Sequence, residues 1–435
     1  MNIRSTKKKT ATDQKGEALP DQQRNFDIII VGGGAAGMMA ASSAAGEGAN
    51  CLLLESGSRV GRKILITGKG RCNITNICSI EEILDNVRRN RNFLYSALYS
   101  FTNQNIIEYF ESFGVRTKTE RGGRIFPVSD KASDVAGAME ADLLAKGVTI
   151  YKNSRVADVL VLENNSFEVS DNEGKKYYGN KLILACGGAS YPATGSDGNG
   201  YDLAAGLGHK IIPPRGVLTG LDSSESWIKE AMGLSLRNVM LTLYERGNCV
   251  FSMQGEMLFT HFGISGPIVL TGSSSLFDSD FKDVNAVIDL KPALDEDKLD
   301  KRILRDFSEN SRKDFANALD DLLPKKLIPI IIRLSGIDKS KKVNQISSEE
   351  RKTLVSLFKG LELRITGSRP LAEAIVTAGG VSVKDINPST MESRVVKNLY
   401  FCGEMIDVDA NTGGYNLTIA FSTGHLAGKN AAGGN

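Results

Sequence analysis

The sequence predicts an α/β chain in which a parallel sheet near the N-terminus is followed by antiparallel strands and then by helices. Three observations support this fold class. An apolar run, Phe26 to Val31, precedes a glycine-rich turn and a helix of small residues. Apolar and polar residues alternate from 148 to 185 and again from 216 to 290, as is typical of antiparallel strands. Apolar residues from 294 to 360 recur at helical spacing between charged positions.

The first strand leads into GGGAAG, where Gly32, Gly34 and Gly37 form the pattern G-x-G-x-x-G. Gly32 permits a tight turn, Gly34 lets backbone N–H groups approach a pyrophosphate, and Gly37 lets the helix pack on the strand. The helix, with Ala35 and Ala36 in its first turn, directs its partial positive charge at such an anion. The sequence therefore predicts a dinucleotide site, and the alternative is an α/β turn without a ligand.

The second strand, Cys51 to Leu54, ends at Glu55, which Ser56 follows. A carboxylate at this position accepts hydrogen bonds from ribose hydroxyl groups and repels the extra phosphate of an NADP-type ligand. Strand, glycines, helix, second strand and terminal acid all indicate the same kind of site.

Composition limits the classes of function. The chain has 53 Lys and Arg against 51 Asp and Glu, so no overall field favours nucleic acid or an anionic membrane. We expect a small-molecule substrate, no membrane span and nucleic acid as an unlikely partner, with no prediction of oligomeric state. Six scattered cysteines predict reduced thiols in a cytoplasmic protein, and three remote histidines predict no metal site. Residues 1–24 are polar and aperiodic, so we expect a disordered tail.

The stretch GKGRCNITNIC, residues 68–78, allows four interpretations. It lacks the spacing of a phosphate-binding P-loop and the further ligands of a zinc site. Cys72 and Cys78 are separated by five residues, which would place their sulfurs on poorly matched faces of a helix and argues against a redox dithiol. A basic loop beside the cofactor remains, with an ordinary solvated loop as the alternative. Candidate contacts are Arg59, Arg62, Lys63, Thr67, Gly68, Lys69, Gly70, Arg71, Cys72, Asn73 and Thr75.

Two segments favour FAD over NAD. The strands from 148 to 185, with the turn DNEG, run into Gly187-Gly188, which resembles the FAD domain of glutathione-reductase-type flavoproteins. Near the C-terminus, the strand Leu399 to Cys402 is followed by Gly403-Glu404, and the resemblance implies that this acid hydrogen-bonds the ribitol. A turn at Gly413-Gly414 and a helical run from Asn416 to Leu426 would then direct N–H groups at the flavin.

Six motifs together resemble one bacterial family of FAD-binding NAD(P)/FAD-dependent oxidoreductases, the aminoacetone-oxidase-family or BaiN-like flavoproteins, some of them reductases of bile-acid enones. The resemblance spans residues 26 to 430, and Lys69 departs from it because many members carry glycine there. The motifs are GRKILITGKGRCNITN, GGRIFPVSDKASDV, ACGGASYPATGSDGNGY, GEMLFTHFGISGP, AIVTAGGVSV and GEMIDVDANTGGYN.

The resemblance implies a glutathione-reductase-type, Rossmann-like FAD domain at residues 25–215 and 368–435. A small β-barrel on the substrate side, 216–293 and 361–367, and a helical subdomain, 294–360, would be inserted into it. The cofactor contacts expected from the residues and the resemblance are Gly32, Gly34, Ala35, Ala36, Gly37, Glu55, Ser56, Arg62, Lys63, Gly70, Arg71, Cys72, Asn73, Val156, Ala185, Gly187, Gly188, Gly403, Glu404, Asp407, Gly414, Tyr415, Asn416 and Leu417.

The function predicted is an FAD-dependent oxidoreductase, foremost a reductase of an activated C=C bond in an enone-like small molecule, fed by NADH or NADPH. Tyr191 and His261 are the candidate proton donors; packing beside Pro192 and a hydrogen bond within the barrel are their structural alternatives. Arg124 could hold an anionic substrate or nucleotide phosphate, or pair with a neighbouring acid. The alternative functions are an amine oxidase acting on an aminoketone-type substrate with O2, and a non-catalytic flavoprotein that binds RNA or protein.

Overall fold

The computed structural model describes residues 25–433, and the tail expected at residues 1–24 lies outside them. Eighteen strands occur in the described range. In chain order they are β1 Asn25–Val31, β2 Cys51–Leu54, β3 Thr75–Asn76, β4 Thr117–Glu120, β5 Arg124–Pro127, β6 Thr149–Tyr151, β7 Val156–Val161, β8 Phe167–Asp171, β9 Lys176–Leu184, β10 Ile211–Val217, β11 Leu221–Ser223, β12 Ser235–Glu245, β13 Asn248–Phe259, β14 Gly263–Ser265, β15 Val284–Asp289, β16 Leu361–Ser368, β17 Val376–Val381 and β18 Leu399–Phe401.

Thirteen α-helices lie in the same range, and none of them is both long and apolar enough to span a bilayer. In chain order they are α1 Ala35–Gly46, α2 Arg62–Ile66, α3 Ile80–Asp85, α4 Tyr95–Ser100, α5 Asn103–Ser112, α6 Ala132–Ala145, α7 Asn199–Gly206, α8 Ile228–Ala231, α9 Pro267–Ser273, α10 Glu296–Glu309, α11 Ile328–Ser335, α12 Ser348–Lys359 and α13 Tyr415–Gly433.

The chain divides into two compact units. The first contains the described residues up to Gly216 and from Ile375 onward, and the second is Val217–Ala374. Each unit has a hydrophobic core of its own. The finer division of the second unit into a barrel insert and a helical subdomain stays a prediction.

The first unit is built on a seven-stranded sheet of order β6-β2-β1-β9-β8-β7, with β18 beside the end of β9. The strands β6, β2, β1, β9 and β18 are parallel, and all four residues of β2 are buried. Strands β7, β8 and β9 are antiparallel, and the predicted DNEG turn joins β8 to β9. The carboxyl ends of β1, β2, β9 and β18 therefore meet at one edge, where α/β sheets bind ligands.

The C-terminal helix α13 packs directly on α1, the helix after the glycine turn. A Cβ added at Gly424 would lie 2.3 Å from the carbonyl oxygen of Ala36, and one at Gly428 would lie 2.1 Å from that of Ala40. These glycines let the two backbones touch. The predicted helix from Asn416 to Leu426 is thus confirmed in type and is longer than expected.

The second unit is a closed barrel of six antiparallel strands in the order β11-β14-β13-β12-β15-β16. Its longest hairpin, β12–β13, turns at Arg246 and Gly247, both in the left-handed region. Helices α10 to α12 lie in the chain between β15 and β16. The α/β fold with an inserted barrel is confirmed.

Candidate cofactor site

The glycine turn after β1 is close-packed at two positions. Gly32 has φ 105°, and a Cβ there would lie 2.4 Å from the carbonyl oxygen of Ala185 at the end of β9. A Cβ at Gly37 would lie 1.9 Å from the carbonyl oxygen of Gly32. Only glycine fits either position, which agrees with the roles expected for a turn and for helix–strand packing.

Gly34 differs from both neighbours because no atom lies within 4 Å of the place where its Cβ would be. It is the N-cap of α1, with φ −80° and ψ −173°. No side chain caps this end of the helix, and the first turn contains no acidic residue. The helix N-terminus thus has no side-chain cap and open space beside Gly34, an arrangement that fits a phosphate.

Glu55 closes the end of β2. Its Oε2 accepts a hydrogen bond from Gly33 N at 2.8 Å, and its Oε1 accepts one from Gly57 N at 2.6 Å. The carboxylate is thereby fixed beside the glycine turn while the residue remains 8% exposed. Ser56 donates to the same carboxylate at 3.3 Å. The expected ribose contact fits this position and stays a prediction.

Glu404 lies at the centre of a polar network. Its Oε2 accepts from Lys63 Nζ at 2.6 Å, and its Oε1 accepts from Thr377 N at 2.8 Å and from Ser190 Oγ at 3.1 Å. Lys63 Nζ also donates to Ser190 Oγ at 2.7 Å. Thr377 and Ser190 were not predicted as site residues, although both lie in quoted motifs. Lys63 is an ion-pair partner of Glu404, which reduces the charge that it offers to a pyrophosphate.

The glycine-rich loop begins with a turn at Thr67–Gly70 in which Gly68 and Lys69 have φ 55° and 60°. Cys72, also with positive φ, is fully buried, and burial raises the pKa of its thiol to about 12. A protonated, inaccessible thiol is unsuited to dithiol chemistry. All six cysteines of the chain are free.

Arg71 was expected at the cofactor, but its guanidinium donates to Glu120 at 2.7 Å and to Asp130 at 3.3 Å and lies over the Phe126 ring. These contacts offset its charge within the protein, and its contact with the cofactor stays a prediction, as does that of Cys72. Arg124, for which pairing with a neighbouring acid was the alternative to an anionic ligand, has no such pair among the described residues; its Nε donates to the carbonyl oxygen of Arg121 at 3.0 Å.

Two buried acceptors at the expected cofactor positions have no hydrogen-bond partner: Asn73 Oδ1 and Asp407 Oδ1. A buried polar atom without a partner costs free energy, so such atoms point to a missing donor. The hydroxyl groups and ring N–H of a flavin dinucleotide would supply donors. Together with the open position at Gly34, these atoms fit FAD.

The remaining expected contacts lie around these groups in the first unit. Asn416 Nδ2 donates to the carbonyl oxygen of Ala410 at 2.8 Å. A Cβ at Gly414 would lie 2.5 Å from the backbone of Thr75. The positions that stay predicted contacts by their place at strand ends, turns and the first turns of helices are Ala35, Ala36, Arg62, Gly70, Val156, Ala185, Gly187, Gly188, Gly403, Tyr415 and Leu417.

Residues 26–430 match the family described as HI0933-like protein Rossmann domain. The chain belongs to this family. A 3-dehydro-bile acid delta(4,6)-reductase of Clostridium scindens is 33% identical over 386 residues, which cover 88% of this chain and 93% of that protein. A ribosomal RNA dihydrouridine synthase of Escherichia coli is 31% identical over 400 residues, which cover 92% of this chain and 96% of that protein.

Among solved structures, a 3-ketosteroid delta1-dehydrogenase from Sterolibacterium denitrificans aligns with a TM-score of 0.53 at 11% identity, covering 95% of this chain and 100% of that one. This likeness shows the fold alone. Membership of the HI0933-like family confirms the predicted resemblance, and the chain is an FAD-dependent oxidoreductase of a reductase family. Within residues 25–433, no cluster of three or more His, Cys, Asp or Glu side chains is arranged to hold a metal ion.

The two candidate proton donors belong to different units. Tyr191, in the first unit, is half-buried with φ 52°, a strained conformation for tyrosine, and its carbonyl oxygen accepts from Thr194 N at 2.8 Å. Its hydroxyl group has no hydrogen-bond partner among the described residues. His261, in the barrel unit, is exposed and packs edge-on against Phe262 at 5.1 Å. Their catalytic roles stay predictions.

Proposed function

We propose that this protein saturates a carbon–carbon double bond conjugated with a carbonyl group, using NADH or NADPH as electron donor. The observation that supports it is the chemistry shared by the two relatives. A delta(4,6)-reductase of a 3-dehydro-bile acid and a dihydrouridine synthase act on dissimilar molecules, yet both remove a double bond in conjugation with a carbonyl. Such a bond accepts hydride at one carbon and a proton at the other.

FAD would supply the hydride transfer, through its N5 position. The chain's own residues would hold the cofactor and manage the proton. Gly34 and the first N–H groups of α1 would bind the pyrophosphate, Glu55 the ribose, and Glu404 the ribitol. Tyr191 is the favoured proton donor, because its hydroxyl group has no partner in the described protein and is free to donate to a substrate carbon.

A second candidate acceptor is a uracil base in RNA, supported by the E. coli relative. The formal net charge of +2 argues against a strong, unspecific attraction to RNA. The expectation that nucleic acid is an unlikely partner therefore stays a prediction, as do the small-molecule substrate and the cytoplasmic location. No observation favours an amine oxidase.

The test is anaerobic. The FAD-loaded protein is mixed with NADH and NADPH separately, and flavin absorbance is followed in a stopped-flow instrument. We expect bleaching by at least one nucleotide, then return of the oxidised spectrum on adding a conjugated 3-dehydro-bile acid or a uridine-containing ribosomal RNA fragment. No bleaching by either nucleotide would refute the proposed donor. Bleaching by an aminoketone, followed on admission of air by reoxidation with reduction of O2 to hydrogen peroxide, would establish the oxidase instead.

Tyr191→Phe removes only the hydroxyl group. We expect the rate of flavin reduction to be unchanged. The rate of flavin reoxidation by the acceptor should fall by about a hundredfold, because a general acid typically accelerates a reaction by at least that factor. His261→Gln is the matched test of the other candidate. Unchanged reoxidation in both variants would exclude both residues as proton donors.

A further inference from the structure

Three basic side chains of the first unit lie on one hairpin and on the loop that packs against it. Arg121 and Arg124 stand at the turn between β4 and β5, and Lys69 stands in the turn Thr67–Gly70. Phe126 connects the two segments: the Arg124 guanidinium lies 5.8 Å from its ring centre, and a Cβ at Gly68 would lie 3.1 Å from the same ring. We call Lys69, Arg121 and Arg124 the hairpin cluster.

The hairpin cluster differs from the neighbouring basic residues in having no acidic partner. Arg71 is paired with Glu120 and Asp130, and Lys118 donates to Asp130 at 2.6 Å. No carboxylate in the described chain pairs with Lys69, Arg121 or Arg124. Three positive charges without an ionic partner among the described residues therefore remain on the hairpin and the adjoining loop. Arginine in particular suits the bidentate recognition of a carboxylate or phosphate.

The hairpin is tied to the glycine turn that precedes α13. Asn76 Nδ2 donates to the carbonyl oxygen of Gly122 at 2.9 Å and to that of Gly413 at 3.1 Å. Ile77 N donates to the carbonyl oxygen of Gly123 at 2.8 Å. The turn at Gly413 leads into the helix end expected to face the flavin ring. If that helix end faces the flavin as predicted, the hairpin cluster would lie at the flavin end of the cofactor site, where an acceptor must bind.

Lys69 adds a separate argument. Its φ of 60° lies in the left-handed region, which glycine enters freely and lysine enters only with strain. The side chain is exposed and has no ionic partner in the described chain, so the fold gains no visible contact from it. No contact within the described protein therefore accounts for a lysine at this position.

We propose that the hairpin cluster anchors an oxyanion, a carboxylate or a phosphate, carried by the acceptor substrate. The proposal rests on the proposed function and narrows it to conjugated carbonyl compounds that bear a negative charge. Arg124 would bind the oxyanion, with Arg121 and Lys69 adding charge. An acceptor held by its anionic group would present its double bond to the flavin. No contact specific to a nucleobase or to a steroid ring would be needed.

The experiment measures equilibrium binding of two matched probe pairs to the FAD-loaded protein. One pair is a conjugated 3-dehydro-bile acid and its methyl ester, and the other is a short uridine oligonucleotide and uridine. We expect the wild type to prefer the anionic member of at least one pair. Arg124→Gln should weaken that member about tenfold, the effect of one lost charged hydrogen bond, and should leave the neutral member unchanged.

Three further variants make the test specific. Arg124→Lys keeps the positive charge but lacks the planar guanidinium group. It should retain part of the affinity for the anionic probe that Arg124→Gln loses. Arg237→Gln removes an exposed arginine of the barrel unit that also lacks an acidic partner within residues 25–433, and it should change neither affinity. Lys69→Gly should leave the melting temperature unchanged or higher while reducing the preference for the anion, whereas a purely structural role would lower the melting temperature.

Equal binding of charged and neutral members of both pairs by the wild type would overturn the anchor. So would a loss in Arg124→Gln confined to NADPH, with NADH and the probes unaffected, because the cluster would then hold the nucleotide's extra phosphate. Binding is measured without turnover. Anion binding through Arg124 with no reduction of any acceptor would therefore refute the proposed function and leave the anchor intact.

Discussion

Substitutions at two glycines of one turn should affect FAD binding and folding stability separately. Gly34→Ala and Gly37→Ala each add one methyl group, but a Cβ at Gly34 meets nothing within 4 Å, whereas a Cβ at Gly37 lies 1.9 Å from the carbonyl oxygen of Gly32. The backbone angles of Gly34 are also open to alanine. We therefore expect the first variant to fold and to bind FAD weakly.

The magnitudes follow from the contacts. Alanine at an N-cap costs about 1 kcal/mol or less relative to glycine, so apo Gly34→Ala should melt within a few degrees of the wild type. The methyl group would hold a phosphate away from the helix N–H groups, and one lost charged hydrogen bond costs about 1.5–3 kcal/mol, or roughly ten- to one-hundredfold in Kd. Gly37→Ala should lose about 1–3 kcal/mol or more of folding stability through overpacking.

The assay has two readouts: calorimetric melting of the apoprotein and titration with FAD followed by flavin fluorescence. Gly137→Ala is the matched control, because its Cβ position is equally open but lies within α6, away from the expected cofactor contacts. It should stabilise the protein slightly and leave the Kd for FAD unchanged. Wild-type FAD affinity in Gly34→Ala would refute the placement of the pyrophosphate at this turn.

Three other expectations concern the first unit. Glu404→Gln breaks the partly buried ion pair with Lys63. It should lower the free energy of unfolding by about 1–3 kcal/mol and weaken FAD binding, as measured by melting and by titration with FAD. An unchanged melting temperature would contradict this prediction. Gly428→Ala drives a Cβ to 2.1 Å from the Ala40 carbonyl oxygen and should lower the melting temperature by several degrees, with or without FAD. Burial lowers the pKa of His209, so the folded state favours the neutral ring; stability should be complete above pH about 6.5 and fall as the pH drops below it. His209→Gln should flatten that dependence in melting curves recorded against pH.

Sequence reasoning succeeded where the structure is local. The strand Cys51–Leu54, the glycine turn and Glu55 follow one another within about thirty residues, and each is dictated by backbone geometry or by the end of a strand. The helix at the C-terminus was found in the same way, although its length was not. Periodicity fades toward a helix end, so the extension to Gly433 had no comparable signal.

Contacts that join distant segments could not be predicted from the sequence. Lys63 and Glu404 are 341 positions apart, and Ser190 and Thr377 complete the same network from two other motifs. In the sequence, Arg71 and Lys63 are both basic residues of the same region and cannot be distinguished. Only the folded chain shows that Arg71 pairs with Glu120 and Asp130. Charge alone cannot show which cation is already paired, because that depends on long-range packing.

The same distinction bears on substrate choice. Relatives 33% and 31% identical to this chain act on a bile acid and on ribosomal RNA, so the residues that form the shared fold do not by themselves select the acceptor. Selection must therefore depend on other side chains. Lys69 is a candidate, since it is exposed, has a glycine-like φ of 60° and lies in the loop that packs against Arg124's hairpin. Exchange of Lys69 is therefore the substitution by which acceptor preference should change with the least cost to the fold.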